Sequence, residues 1–406
     1  MPAWLTDPAF WQNASIPIVA GLVGWYTNWV AIEMTFRPLK AWGWPPFLGW
    51  QGIIPAKATR MAEIFVDSTM IKLGTLPELF QRMEPDKIAA QILKVVTPRL
   101  RRMTDEVMLE QDPDLWRSTP DLIKLKIYDN VEQALPQAVE GLMQEASERI
   151  EELVDFKHMV VSRLSDDPAL LNRIFLESGA AEFHFLVRSG LYFGFLFGLF
   201  QLGQWLLYPA WWTLPVSGAI VGYATNWLAL NIVFRPLHPR RFGPLVLQGI
   251  FLKRQKQVAA VWCRIVTTEI VSVRAIIQAM LAGPKKATTE ALIRKHIEPI
   301  VYAGVAPFQA GIEMAVGRDK MKAIREMVGR RSLAISAHPF DDWHFNRERS
   351  LLVEKLLVQR MEEMPPEDFQ GLLRPCFQED EMKLILVGAV LGLIAGWGQA
   401  IFVFGN

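Results

Sequence analysis

Apolar residues are concentrated in four stretches of the chain, at residues 16–36, 189–208, 214–234 and 384–404. Each stretch has about 20 residues, which is the length that a helix needs to cross the hydrocarbon core of a bilayer. We therefore predict four transmembrane helices. A long connection separates the first from the second and the third from the fourth, and a short turn joins the middle two.

The long connections have the periodicity of amphipathic helices, and we find no alternating β pattern. In the first connection, apolar residues recur every three or four positions and form a stripe on one side of a helix, namely Ile123, Ile127, Val131, Leu135, Val139, Leu142, Ala146, Ile150 and Leu153. The polar positions are mainly acidic, whereas membrane-surface helices usually carry Lys and Arg. The stripe therefore predicts packing between helices, with a kink at Pro136.

Further helices are predicted elsewhere in the connections. A second stripe, at residues 88–107, is interrupted at Pro98. In the second connection, shorter helices are expected around residues 293–301, 312–328 and 351–361, because prolines and glycines separate these segments.

Residues 17–39 recur as residues 215–237. Both copies contain Thr-Asn-Trp inside the apolar stretch and end with Phe-Arg-Pro-Leu. The separation between the copies is too long for a solenoid unit, so it indicates two copies of a larger membrane module. We predict an all-α membrane protein that repeats the order span, helical cytoplasmic domain, span twice, in parallel.

Basic residues predict the orientation, because Lys and Arg are concentrated in the cytoplasmic loops of membrane proteins. They follow the first and third spans and precede the second and fourth. Both termini are therefore expected in the periplasm of a bacterium and both long connections in its cytoplasm. The predicted divisions are an N-terminal arm with the first span (1–36), a cytoplasmic domain (37–188), a transmembrane hairpin (189–234), a second cytoplasmic domain (235–383) and the fourth span (384–406).

Composition restricts the chemistry. The chain is 51% hydrophobic and 21% charged, a mixture that fits a few spans with large polar domains. Its net charge of +1 produces no field that would attract nucleic acid. The two cysteines are isolated, and the histidines form no metal-binding motif; we interpret the local cluster at residues 338–344 as a polar loop. Because no catalytic motif occurs either, we predict no metal, no cofactor and no enzymatic activity.

One candidate site consists of polar residues inside the spans, Thr27 with Asn28 and Thr225 with Asn226, at matching positions of the repeat. A buried polar group in hydrocarbon needs a partner. Hydrogen bonds between helices would fix the packing of the spans, which is the interpretation that we favour. Alternatively, the residues would line a polar path between the repeats, as in transporters. Glycines four residues apart in the second and fourth spans are typical of close helix packing.

The second candidate site is a set of basic residues that follow the first and third spans. Each Lys or Arg near an anionic leaflet contributes about 1 kcal/mol of attraction. The candidate contacts to anionic lipids are Arg37, Lys57, Arg60, Arg235, Arg240, Arg241, Lys253 and Arg254. Both stretches also contain Gln-Gly-Ile, beginning at Gln51 and Gln248. This glycine turn is compatible with phosphate contact through backbone N–H groups or with a hairpin at the membrane interface.

Motifs along nearly the whole chain resemble a bacterial membrane-protein family, the domain of unknown function 445. They are Thr27-Asn28-Trp29 and Phe36-Arg37-Pro38-Leu39 with their copies at 225–227 and 234–237, Asp167-Pro168, the run at 171–175, Arg188-Ser189-Gly190, Tyr192-Phe193-Gly194, the run at 248–251 and the run at 377–381. The resemblance implies a helical inner-membrane protein and no catalytic residues.

The leading hypothesis is a non-enzymatic inner-membrane protein, either a scaffold or a lipid-handling protein at the cytoplasmic leaflet, with anionic lipids as partners. The alternative is a transporter or flippase with a polar path at Asn28 and Asn226. Four spans make a thin pathway, so this alternative requires a homo-oligomer.

Overall fold

The computed structural model describes residues 8–44, 48–243, 245–305, 318–371, 374 and 381–405. Within these ranges the chain is helical apart from two short β-hairpins, which the all-α prediction did not contain. Strands of three residues are too short to show an alternating pattern. Residues 1–7 of the predicted periplasmic arm, residues 312–317 of one predicted helix and residues 377–380 of the family resemblance lie outside the described ranges.

The first half of the chain contains α1 (Pro8–Phe36), β1 (Trp42–Trp44), β2 (Leu48–Trp50), α2 (Ile53–Ala56), α3 (Ala58–Phe65), α4 (Ile71–Leu73), α5 (Leu76–Arg82), α6 (Pro85–Val96), α7 (Leu100–Gln111), α8 (Pro113–Ser118), α9 (Asp121–Glu148), α10 (Ile150–Leu153), α11 (Phe156–Asp166) and α12 (Pro168–Ser178). The second half contains α13 (Ala180–Leu207), α14 (Thr213–Phe234), β3 (Arg240–Phe242), β4 (Leu245–Leu247), α15 (Ile250–Lys253), α16 (Gln255–Glu269), α17 (Val273–Ala282), α18 (Lys286–Val305), α19 (Arg318–Ile335), α20 (Trp343–Glu363), α21 (Pro366–Gln370) and α22 (Glu381–Phe402).

The chain forms two compact units, each built from separate segments. The span unit comprises Met1–Thr69, Leu164–Trp262 and Val358–Asn406, and the helical unit comprises Met70–Arg163 and Cys263–Leu357. Helices from both long connections therefore share the helical unit, although the sequence assigned them to two domains. The position of the predicted domains relative to a membrane stays a prediction.

Four helices of the span unit are long and apolar enough to cross a membrane: Phe10–Phe36, Ala180–Leu207, Thr213–Phe234 and Glu381–Phe402. The four predicted spans are thus confirmed as helices. Their ends differ most at α13, which begins at Ala180 rather than at residue 189. Hydropathy placed the start too late because the first turns of α13 contain Glu182 and Arg188. A helix can extend beyond the apolar segment that reveals it.

Glycines bring the spans into backbone contact. α1 packs along α13, and α14 packs along α22. A Cβ atom added to Gly190 on α13 would overlap the backbone oxygen of Gly24 on α1. A Cβ atom on Gly388 of α22 would lie 2.7 Å from the backbone oxygen of Gly222 on α14. The close packing predicted from the glycine spacing is therefore confirmed in both helix pairs.

The ends of α1 and α14 are built alike. The last carbonyls of a helix have no partner within the helix and need one elsewhere. Asn172 Nδ2 donates to the Phe36 carbonyl oxygen at 2.6 Å, and Gln370 Nε2 donates to that of Phe234 at 2.9 Å. Both pairs are separated by 136 residues. A cis Arg–Pro bond follows each helix, before the antiparallel hairpins β1–β2 and β3–β4.

The helical unit is organised around α9. This helix packs against α18, α6 and α7, and α18 in turn packs against α17 and α19. Ile127, Leu135, Val139 and Ala146 of the predicted stripe are buried, which confirms that the stripe packs between helices. α9 continues through Pro136, whose ring is exposed, and ends at Glu148, so that the last part of the stripe forms α10.

Candidate functional site

The two asparagines inside the spans each bond to the neighbouring helix of the same pair. Asn28 is buried, and its Nδ2 donates to the Leu186 carbonyl oxygen on α13 at 2.6 Å. Asn226 is also buried, and its Nδ2 donates to the Leu384 carbonyl oxygen on α22 at 2.8 Å. Both pairs are separated by 158 residues. These contacts are the interhelical hydrogen bonds of the structural interpretation.

The adjacent threonines have a different role. Thr27 Oγ1 donates to the Gly24 carbonyl oxygen at 3.1 Å, and Thr225 Oγ1 donates to that of Val221 at 2.9 Å. Both bonds lie within the threonine's own helix, so they satisfy the hydroxyl without linking two spans. A Cβ atom on Gly190 would also come within 2.8 Å of Asn28 Nδ2. Asn28 therefore reaches α13 only because residue 190 has no side chain.

The predicted basic site is divided by the structure. Arg235, Arg240 and Arg241 are exposed, after α14 and on β3. Arg37 is also exposed and pairs with Glu33, which lies one turn earlier on α1, at 3.6 Å. Lys57 lies between α2 and α3 and is half-buried, whereas Arg60 on α3 is exposed.

Two further residues of the predicted basic site, Lys253 and Arg254, bond other groups of the protein. Arg254 Nη1 donates to both carboxylate oxygens of Glu182, at 2.9 and 3.0 Å, and Glu182 is buried. Because Glu182 neutralises this guanidinium, we do not expect Arg254 to contact an anionic lipid. Lys253 is exposed, but its Nζ donates to the Val246 carbonyl oxygen at 2.9 Å.

The Gln-Gly-Ile turns close the hairpins. The backbone N–H groups of Gly52 and Gly249 donate to the carbonyl oxygens of Pro38 and Pro236, each at 3.0 Å. A Cβ atom at Gly52 would lie 2.7 Å from the Phe36 carbonyl carbon, so the chain crosses itself too closely for a side chain. These two N–H groups already have partners, which favours the hairpin interpretation over phosphate contact. Trp42, at 77% exposed, lies on the first hairpin.

A large apolar cavity occupies the helical unit, with a volume of about 730 Å³. It is lined by residues of α6 to α9, of α17 to α19 and of the 3-10 turn His338–Asp341. The lining on α9 extends from Ile123 to Ala146, which at 1.5 Å per residue corresponds to about 35 Å along the helix. The sequence revealed one wall of the cavity, namely the apolar stripe on α9. A stripe alone cannot distinguish a filled core from a cavity.

Polar lining residues mostly bond within the protein. Thr104 Oγ1 donates to the Leu100 carbonyl oxygen at 3.0 Å, and Thr119 Oγ1 donates to that of Leu115 at 2.7 Å. Thr289 on α18 differs: its hydroxyl is buried and has no hydrogen-bond partner among the described residues.

The basic side chains among the described lining residues, His296 and Arg331, are paired with carboxylates. His296 Nε2 lies 2.9 Å from Glu145 Oε2, which also accepts a hydrogen bond from Lys295 at 2.7 Å. The bonds from Lys295 and then His296 lower the pKa of Glu145 to about 2. Arg331 bonds Glu110 at 2.6 Å and Glu106 at 2.5 Å, and these carboxylates raise the pKa of its guanidinium.

Comparison with known proteins identifies bacterial membrane proteins without an assigned activity. The chain is 34% identical over 114 residues to a UPF0754 membrane protein of Synechococcus elongatus, which covers 25% of this chain and 27% of that protein. It is 34% identical over 90 residues to one of a Nostoc species, covering 21% of this chain and 19% of that protein. A relative from Microcystis aeruginosa is 29% identical over 157 residues, 34% of this chain and 38% of the relative.

The similarity thus spans about a fifth to two fifths of the length of these curated relatives. No family model matches the chain, so the resemblance to the domain of unknown function 445 stays a prediction. No solved structure matches it either. The relatives support a bacterial membrane protein, and its activity must be argued from the geometry.

Proposed function

We propose that this protein is a non-enzymatic, lipid-handling protein of the bacterial inner membrane. In this proposal the four helices of the span unit cross the membrane in two parallel repeats, with both termini in the periplasm. The helical unit lies in the cytoplasm and holds the hydrocarbon part of a lipid in its cavity. The observation that carries the proposal is this cavity of about 730 Å³.

The physical argument begins with the cost of empty space. Cavities in protein cores destabilise by about 24 cal/mol per Å³. Apolar space of about 730 Å³ that stays empty is therefore unfavourable. Water does not fill it well, because a buried water needs two to four polar partners and the lining is mainly Ile, Leu, Val and Met. An apolar ligand satisfies both constraints.

The dimensions also fit a lipid tail. The volume lies within the range of about 300–1,000 Å³ that is usual for ligand pockets. The hydrocarbon core of a bilayer is about 30 Å thick, so one leaflet accounts for about half of that length. The wall from Ile123 to Ala146 is about 35 Å long, which exceeds the length of one tail.

The exposed cations after the spans support contact with anionic lipids. Arg235, Arg240 and Arg241 follow α14 directly and are exposed. On the second hairpin, exposed Val246 and Leu247 accompany the two arginines of β3. Cations beside apolar side chains suit the interface of an anionic leaflet. The transporter alternative has less support, because the side-chain N–H groups of Asn28 and Asn226, the residues that it requires, form hydrogen bonds between helices.

The proposal is tested by filling the cavity. Ala138 lines it, and its neighbour Gln137 is exposed on the same helix. We expect Ala138→Trp to lower several-fold the lipid recovered by solvent extraction and mass spectrometry from protein purified in mild detergent. Gln137→Trp is the matched control, since it retains the lipid that surrounds the spans. Equal lipid content in the two variants, both with the thermal stability of the unaltered protein, would reject the cavity as a lipid site.

The orientation needs a separate measurement. Single cysteines introduced at Trp211 and Glu140 are to be labelled in intact cells with a reagent that does not cross the inner membrane. We expect labelling at residue 211 and protection at residue 140, because Trp211 lies in the short turn between α13 and α14. Labelling at residue 140 would reverse the proposed topology.

A further inference from the structure

Thr289 is the feature of the cavity that the packing of the helical unit does not explain. It is 1% exposed, lines the cavity, and its hydroxyl has no partner among the described residues. A threonine in a helix usually satisfies its hydroxyl with a backbone carbonyl of the preceding turn. Thr104 and Thr119, which line the same cavity, do so. A buried hydroxyl without a partner is unfavourable unless something else binds it.

The charges around the cavity restrict what that group can be. His296 and Arg331, the basic side chains among the described lining residues, already bond carboxylates. Arg331 bonds two of them, Glu106 and Glu110, and Glu106 also bonds Arg102, so these charges are balanced within the protein. A buried carboxylate or phosphate needs a countercharge. Neither basic side chain is available to provide one, so an anionic head group is disfavoured.

Resting on the proposed lipid-handling function, we infer that the cavity binds an uncharged long-chain lipid whose hydroxyl or carbonyl group forms a hydrogen bond with Thr289 Oγ1. Long-chain alcohols, esters and quinones belong to this class. The hydroxyl can donate to a carbonyl or both donate to and accept from an alcohol. Leu292 and Ile293 follow Thr289 on α18 and also line the cavity, so the rest of the ligand contacts apolar side chains.

The experiment compares three radiolabelled probes with the same chain length, 1-hexadecanol, hexadecane and palmitate at pH 8. Binding to the delipidated full-length protein in detergent is measured by equilibrium dialysis. The Ala138→Trp protein serves as the blank. Its signal comes from probe that partitions into micelles or binds the spans, and it is subtracted. If that variant does not fold, Val131→Phe replaces it, since Val131 also lines the cavity.

We expect 1-hexadecanol to bind more tightly than hexadecane, by roughly 2- to 13-fold, the range that a net hydrogen bond provides. Thr289→Val should abolish this preference and leave hexadecane binding unchanged, whereas Thr289→Ser should retain it. Palmitate should bind more weakly than the alcohol. The thermal stability of each variant is measured to show that it is folded.

Each other outcome has a distinct meaning. A preference for the alcohol that persists in Thr289→Val, or no preference in the unaltered protein, would overturn the assignment of Thr289. Palmitate binding as tightly as the alcohol would overturn the uncharged ligand and leave the lipid-handling function standing. If no probe binds above the blank, the proposed function itself fails.

Discussion

The two units differ in what lies between their neighbouring helices. In the span unit, glycines place the backbones of α1 and α13, and of α14 and α22, in contact, and a single added Cβ atom at Gly190 has no room. In the helical unit, α9 packs against α18, α6 and α7 through its apolar stripe, and a cavity of about 730 Å³ remains among the helices. Glycine contacts leave no gap, whereas branched side chains fill the space only where their shapes match. We therefore propose that the glycine contacts keep the span unit rigid and that the cavity of the helical unit binds the ligand.

The contrast is tested most strongly at Gly190. Gly190→Ala should destabilise the protein by about 3 kcal/mol, at the upper end of overpacking effects, because a backbone oxygen cannot move aside as a side chain can. Thermal and denaturant unfolding in one detergent measures the change. Gly203→Ala on the same helix is the control, since a Cβ atom there has no atom within 4 Å. It should lose no stability, because alanine favours helix more than glycine does.

Gly388→Ala provides a second test of the same contact. Its Cβ atom would lie 2.7 Å from the Gly222 oxygen, so a loss similar to that of Gly190→Ala is expected. If Gly190→Ala and Gly203→Ala have equal stability, the tight packing of the span unit is contradicted.

A smaller effect of opposite sign is expected in the helical unit. Ala138→Leu adds apolar volume to the cavity and should stabilise delipidated protein by about 1 kcal/mol, as cavity-filling substitutions commonly do. The same change should reduce bound lipid, whereas Gln137→Leu on the exposed face should change neither quantity. The two measurements are unfolding in denaturant and lipid content by mass spectrometry. If Ala138→Leu destabilises the protein and Gln137→Leu does not, the protein fills this space with its own atoms.

The smallest effect is expected for the hydrogen bond between α1 and α13. Asn28→Leu should cost about 0.6 kcal/mol, the average for such bonds in membranes. Asn231→Leu is the control, because the Asn231 amide donates within its own helix, to the Trp227 carbonyl oxygen at 2.8 Å. Unfolding of both variants in detergent provides the comparison. A loss well above 2 kcal/mol from Asn28→Leu would show that the amide does more than join two helices.

Much of the architecture was predictable because it follows from local patterns. The four spans follow from apolar length, the interruption at Pro98 divides α6 from α7 as expected, and the glycine spacing indicated close packing. The matching contacts of Asn28 and Asn226 follow from the repeat, because similar spans meet similar neighbouring helices in the two copies. The helical unit was less predictable, since its core joins segments that are far apart in sequence.

The sequence by itself determined which segments are helices and which of their faces are apolar, because both properties depend on neighbours within a few residues. Only the tertiary structure decided which of these faces meet. It paired Arg254 with Glu182 and assigned Asn172 and Gln370 to the ends of α1 and α14. It also left the Thr289 hydroxyl without a partner among the described residues. The cavity belongs to the same category. The apolar stripes that form its walls can be identified in the sequence. The volume between them depends on how helices from the two long connections pack, and no single segment contains that information.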